Sequence, residues 1–211
     1  MHEKFVINIG RQFGSGGKAI GEKLAKRLSI RLYDKELLLL AARESGFCTE
    51  CFEECDERKG VLRSLFGHFR IPFVGNYSPC ESPISGEALF RIQSDAIRRV
   101  ASEESCIFVG RCADYILREN PRTVNLFFTA DSEDRIRRIT ARTGCTAEAA
   151  LQQIEAMDRQ RARYYNYYTS HTWGEAATYD LTINTSCLGE EATVELIIDF
   201  VTRKLNLNPK P

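Results

Sequence analysis

Gly14-Ser15-Gly16-Gly17-Lys18 lies between a short apolar run and a stretch of helically spaced apolar residues. Glycines let backbone amides turn inward around an anion, and the positive end of the following helix points at the same place. The segment predicts a phosphate-binding loop built from Gly14, Ser15, Gly16, Gly17, Lys18 and Ala19, with a plain glycine turn as the alternative. It departs from the pattern G-x-x-x-x-G-K-[ST]. If Lys18 is the motif lysine, the leading glycine position falls on Gln12 and the hydroxyl position on Ala19. If Gly16 closes the loop, the leading position is Arg11 and the lysine position is Gly17. In either register the hydroxyl that ordinarily binds magnesium is missing, so Ser15 or other residues would have to replace it.

Asp158-Arg159-Gln160-Arg161-Ala162-Arg163-Tyr164-Tyr165 is the second chemical signal. Such an arginine run suits a lid that neutralises charge during group transfer; the other reading is a solvated helix face. At ~100° per residue Arg159 and Arg163 share a face while Arg161 lies ~200° from Arg159. A lid wedged between donor and acceptor could use all three, with Asp158 orienting Arg161 at i+3.

Asp34 and Arg111 each close a predicted strand. Asp34 would hold an acceptor group or a magnesium water, or cap a helix. Arg111 would grip a phosphate bidentately, or pair with Asp114. Cys48, Cys51 and Cys55 invite a zinc reading, with His68 and Cys80 as distant candidates. The spacing fits a buried helical stripe better, and no metal ligands are assigned. Tyr164, Tyr165, Tyr167, Tyr168 and Trp173 are expected to pack a hinge rather than stack bases.

The elements that must position these residues follow from periodicity. Phe5–Ile9 reads as a buried strand, and Ile20, Leu24 and Leu28 mark a helix after the loop. Further strands are expected at Arg31–Tyr33, Cys106–Val109, Val124–Phe128 and Tyr179–Ile183. Helices are expected near Glu36–Glu44, Glu87–Glu103 and Asp134–Arg142, and from an N-cap at Thr146 to about Tyr165. Val194, Ile197, Ile198, Val201 and Leu205 mark a terminal helix. Strands alternating with helices predict an α/β fold with a mainly parallel sheet covered on both faces, whose ligands bind outside the carboxyl ends of the strands. Residues 46–86, rich in cysteine, glycine and proline, read as a partly mobile insertion.

The chain has 211 residues and 29 basic against 29 acidic side chains, so one domain with an appendage is expected and any anion site must be a local cluster. Zero net charge argues against a general nucleic-acid or membrane-surface binder. At 43% hydrophobic residues the chain can build a core, which excludes disorder. No run approaches the ~20 apolar residues of a membrane span. The opening residues do not resemble a secretory signal, so the cysteines are expected to be reduced and the protein cytoplasmic.

INIGRQFGSGGKAIGEKLAKRL, YDKELL, IFVGRCADYIL, MDRQRARYYNYY and YDLTINTSCLG occur in an order and spacing that resembles the cytidylate kinase-like family of P-loop kinases. The resemblance implies a three-layer P-loop NTPase fold with a five-stranded parallel sheet of order 2-3-1-4-5. It implies a single domain over 1–211, with 46–86 as the acceptor-binding insertion and about 144–178 as a mobile lid. The implied activity is ATP-dependent, magnesium-assisted phosphoryl transfer to a nucleoside monophosphate such as CMP. Carried over by position, Gly14 to Ala19 would cradle the donor phosphates, with Lys18 also catalytic. Asp34 and Arg111 would bind the acceptor, and Asp158, Arg159, Arg161 and Arg163 would serve the lid. Asp180 to Thr185 would lie near the donor base. Glu36 and Leu40 replace a hydroxyl residue and an arginine that bind CMP in true cytidylate kinases. A kinase of a non-nucleotide metabolite and a weakly catalytic nucleotide-binding regulator are therefore retained as alternatives.

Overall fold

The computed structural model describes residues 4–34 and 86–207, which fall in two units, 4–34 with 98–207, and 86–97. The expected helix near Glu36–Glu44, the insertion up to residue 85 and the cysteines within it lie outside the described residues. In chain order the elements are β1 (Val6–Arg11), α1 (Gly17–Leu28), β2 (Arg31–Tyr33), α2 (Gly86–Glu103), β3 (Cys106–Val109) and α3 (Ala113–Ile116). They continue with β4 (Thr123–Thr129), α4 (Ser132–Thr143), α5 (Ala147–Thr169), a 3-10 turn (Ala176–Thr178), β5 (Leu181–Asn184) and α6 (Thr185–Lys204).

Every strand pairing is parallel, and the order is β2-β3-β1-β4-β5. β1 lies at the centre, registered against Cys106–Val109 on one side and Thr123–Phe128 on the other. Strand side chains alternate between faces. Ile7, Ile9, Ile107, Val109, Val124, Leu126, Phe128 and Ile183 therefore share one face, covered by Ile20 and Leu24 of α1 and by Val194, Ile197 and Val201 of α6. Phe108 and Phe127 occupy the opposite face. Phe108 meets Tyr33 at 5.6 Å between ring centroids, and Phe127 meets Trp173 at 5.2 Å and Tyr179 at 4.8 Å. Burial on both faces is why these strands read as continuous apolar runs rather than alternating ones.

Two caps separate the paired helices beside the loop. Gly144, at φ +70°, ends α4 by donating to the Thr140 carbonyl, and the Thr146 hydroxyl starts α5 by accepting from the Ala149 amide. Ile139 then packs on Ala150 and Ile154, with Phe13 from the glycine loop against the same cluster. α5 continues to Thr169, a turn beyond its expected end. β5 begins at Leu181 instead of Tyr179, because Tyr179 closes the 3-10 turn. α3 has four residues, too few to show helical periodicity in sequence. Among the described residues no helix is long and apolar enough to cross a membrane.

Candidate functional site

The glycine loop joins the carboxyl end of β1 to the amino end of α1, the edge at which ligands of parallel α/β sheets bind. Gly14 and Gly16 both adopt left-handed backbone, φ +81° and +80°, which a glycine accepts without strain. Its outward carbonyls are held from outside. Arg161 Nη1 donates to Arg11 O at 2.9 Å, Arg135 Nε to Phe13 O at 2.7 Å, Arg138 Nη1 to Gly14 O at 3.2 Å and Thr185 Oγ1 to Ser15 O at 2.7 Å. Of the amides on the same peptides as these carbonyls, Gln12 donates to Phe128 O, whereas Gly14 and Gly16 have no acceptor among the described residues. No side chain caps α1, and the amides of Gly16, Gly17, Lys18 and Ala19 have no acceptor among the described residues. The Ser15 amide is different: it turns back to Gln12 O at 3.3 Å, so the open donors run from Gly16 to Ala19.

Of Arg159, Arg161 and Arg163, all expected to serve a lid, the structure brings one to the loop. Arg161 bonds Arg11 O and stacks its guanidinium 5.5 Å from the Phe13 ring centroid. Burial, then the neighbouring Arg11 charge, lowers the Arg161 pKa to about 9. Arg159 faces outward and pairs with Glu155 on its own helix, and Arg163 is exposed. Asp158 corrects its expected partner. Its carboxylate accepts the Phe13 amide at 2.7 Å and pairs with Arg135, whose side chain is 10% exposed, and it reaches Arg161 only through charge. The i+3 spacing indicated Arg161, but α4 supplies a cation already bonded to the same loop residue.

Lys18 is 58% exposed and lies 3.5 Å from Asp34 and 3.9 Å from Glu22, directed along α1 towards the end of β2. Arg11, not singled out from the sequence, closes β1 with its side chain 20% exposed and its guanidinium 3.8 Å from Asp34. Its pKa is lowered by burial, an effect that Asp34 opposes and nearby Arg111 reinforces. Arg11 thus has two like charges near it, Arg111 and Arg161, while Asp34 acts on both Arg11 and Arg161.

Arg111 follows β3 at φ +63° and Cys112 at φ +56°, unusual backbone for side chains with a Cβ and typical of functional positions. The expected Arg111–Asp114 pair does not form. Asp114 accepts the Tyr165 hydroxyl at 2.6 Å, while Tyr164 bonds Arg111. Burial raises the Asp114 pKa, partly offset by that Tyr165 bond. Tyr164 and Tyr165 therefore pack α5 against the residues that follow β3. Asp180 is also corrected. It precedes β5, accepts the Asn125 amide at 2.7 Å and pairs with Lys204, whereas Thr185 at the other end of β5 is the residue that touches the loop.

The side chains of the described residues do not fit a magnesium ion held by the protein. Asp34 is flanked by Lys18 and Arg11, and the Ser15 hydroxyl donates to Gln12 O at 2.9 Å. Among the described residues no three His, Cys, Asp or Glu side chains come together as a metal site. A surface cavity beside Lys26, Arg31, Glu104 and Ser105 lies at the amino ends of the strands, the wrong edge for this architecture. Arg135 and Arg138 were missed in sequence because they sit in an ordinary charged helix. Arg11 carried one signal, a cation at the leading-glycine position of the loop.

The family model described as the cytidylate kinase-like family matches residues 6–187. A cytidylate kinase of Pyrobaculum calidifontis is 31% identical over 201 residues, 95% of this chain and 95% of that protein. A uronate isomerase of Corynebacterium glutamicum is 28% identical over 108 residues, 51% of this chain and 21% of that protein. Among solved structures, a crystal structure of an uncharacterized protein from Eubacterium ventriosum superposes with a TM-score of 0.73 at 30% identity, covering 95% of this chain and 99% of the other. A shikimate kinase from Bacteroides thetaiotaomicron superposes with a TM-score of 0.51 at 15% identity, covering 96% and 99%, a likeness of fold alone.

Proposed function

The chain belongs to the cytidylate kinase-like family, and on that premise we propose that it transfers the γ-phosphoryl group of ATP to a nucleoside monophosphate, with CMP the first acceptor to test. One observation carries this reading. Four open amides from Gly16 to Ala19 lie in one loop with Arg11, whose guanidinium feels the like charges of Arg111 and Arg161, so three cations meet the nearby carboxylates Asp34 and Asp158. A site with that donor set favours polyanions, because each bound phosphate oxygen replaces water on groups already oriented.

The amides hold the donor phosphates, Arg111 holds the acceptor phosphate, and Arg161 bridges the two from the lid helix. Catalysis is then positioning and electrostatic stabilisation, as phosphoryl transfer requires little else from the protein. Mg²⁺ accompanies the nucleotide as part of the substrate and supplies charge neutralisation on its phosphates. Gly14 and Ser15 shape the loop, Lys18 and Asp34 frame the acceptor side, and Asp158 anchors the lid through Arg135. The single domain, the acceptor-binding role of 46–86, the lid role of 144–178 and a cytoplasmic location belong to the same reading.

The test is acceptor-dependent ADP formation by purified protein with Mg²⁺, ATP and each nucleoside monophosphate in turn. A diphosphate product from CMP or another monophosphate supports the kinase. Glycine at the lysine position favours a second reading, a nucleotide-binding regulator. ATP binding without turnover of any monophosphate would select it, and phosphorylation of a metabolite pool alone would select a non-nucleotide acceptor.

A further inference from the structure

Arg11 is a cation without a hydrogen bond. It can donate five N–H groups, yet among the described residues its guanidinium makes no hydrogen bond and its one ion pair, with Asp34, is long at 3.8 Å. A largely buried guanidinium left in that state is costly unless something else completes it. The neighbours add like charge, Arg111 acting on Arg11 and Arg11 on Arg161, whose Nη1 bonds the Arg11 carbonyl.

Two glycines clear its path. A Cβ on Gly17 would lie 2.9 Å from Arg11 Cβ and 2.9 Å from Phe128 Cδ2, so the stem of Arg11 occupies the space where a residue-17 side chain would start. A Cβ on Gly110 would lie 2.3 Å from Arg11 Nη1, so the head reaches across the end of β3 through a gap that only glycine leaves. Residue 17 is the lysine position in the register that closes the loop at Gly16. The chain has no side chain there, and Lys18, 58% exposed, pairs with Glu22 and with the same Asp34 that Arg11 meets from the more buried side.

We propose that Arg11 supplies the loop cation that glycine at position 17 cannot, its guanidinium bonding the phosphoryl group in flight between donor and acceptor. The proposal rests on the kinase reading above and assigns it a catalytic residue. An acceptor phosphate oxygen forms the new bond to the γ-phosphorus while the bond from that phosphorus to the β,γ-bridging oxygen breaks. The electron pair stays on the bridging oxygen of departing ADP. No proton moves, because the attacking oxygen is already anionic, and total charge is conserved. Arg11, approaching from the strand side, and Arg161, approaching from the lid, stabilise the equatorial oxygens together.

The experiment compares wild type with Arg11→Met, folding being checked by thermal melting. Inorganic tripolyphosphate binding and steady-state transfer are measured on both. Loss of a transition-state cation is expected to lower kcat by ~10³-fold or more, with the KM for the acceptor changed less than ~3-fold, and to weaken tripolyphosphate binding by ~10-fold or more. A folded variant with wild-type kcat overturns the assignment. If wild type transfers to no monophosphate, the kinase reading fails on its own, and the tripolyphosphate arm still decides: equal affinity in both proteins overturns Arg11 as a phosphate ligand. Should Arg11→Met not fold, the Nε–H resonance of Arg11 in ¹⁵N-arginine wild type, assigned through Arg11→Lys, is followed during tripolyphosphate titration. A shift on saturation is expected, and a resonance that does not move overturns the proposal.

Discussion

The Asp158 carboxylate accepts the Phe13 amide at 2.7 Å, tying the middle of α5 to the middle of the glycine loop. Arg135 completes the tie by pairing with Asp158 while donating to the Phe13 carbonyl at 2.7 Å. Both backbone groups of one loop residue are thereby held by one ion pair, with its side chains 10% and 17% exposed.

Removing one member of that pair leaves the other charge buried without a partner. Asp158→Ala is therefore expected to cost ~3–5 kcal/mol of stability, the range for a broken buried pair. The double variant with Arg135→Ala should recover part of that loss, because no uncompensated charge remains. Urea denaturation of the four proteins in the cycle checks it, and strictly additive losses would show that the pair is not coupled.

The arginines of α5 separate by face. Arg161→Ala is expected to lower turnover by ~10³-fold or more, as loss of an arginine from a phosphoryl-transfer site does. Its effect on stability should be small, since its one hydrogen bond to Arg11 O is lost together with the cost of burying its charge. Arg159→Ala removes an exposed pair with Glu155 and should change turnover less than ~2-fold, as surface ion pairs contribute little. Equal impairment in both variants would overturn the division. Rates with saturating ATP and acceptor, beside melting curves, distinguish the outcomes.

How much of this was legible in sequence depends on whether partners are local. Strands buried on both faces announce themselves as apolar runs, so all five were placed with every boundary within two residues. The loop was legible because glycines between a strand and a helix have few other uses. Helical geometry also separated Arg161 from Arg159 correctly. The partner of Asp158 was not legible: spacing along α5 favoured Arg161, while Arg135 lies 23 residues earlier on another helix. Arg11 needed a gap provided by Gly110, a residue brought alongside only by the β1–β3 pairing.

The Asp114–Tyr165 bond gives a pH signature. Burial raises the Asp114 pKa above its ordinary carboxylate value, so between those two values the folded chain binds more protons than the unfolded chain. Stability from this group is therefore complete below the unfolded value and is lost as pH rises through the folded one. Asp114→Asn keeps an acceptor for the Tyr165 hydroxyl and should flatten that slope. Tyr165→Phe removes one of the bonds to the carboxylate, leaving it the backbone amides of Asp114 and Tyr115, and should cost ~1–3 kcal/mol near neutral pH. Unfolding free energies measured from pH 4 to 8 check both, and an unchanged slope in Asp114→Asn would falsify the assignment.

Thr185 braces the glycine loop. It is fully buried, and its hydroxyl donates to Ser15 O at 2.7 Å, one residue before the open amides begin. Thr185→Val keeps the shape and removes the donor, leaving the Ser15 carbonyl without that bond at a cost of ~1–3 kcal/mol. The freed carbonyl can rotate, and the Gly16 amide belongs to the same peptide plane, so the anion donors lose their common direction. The KM for ATP should rise while the KM for the acceptor stays fixed, because Arg111 and Asp34 lie at the ends of β3 and β2, away from this contact. Equal rises in both constants would mean that Thr185 supports the fold as a whole and not the donor loop.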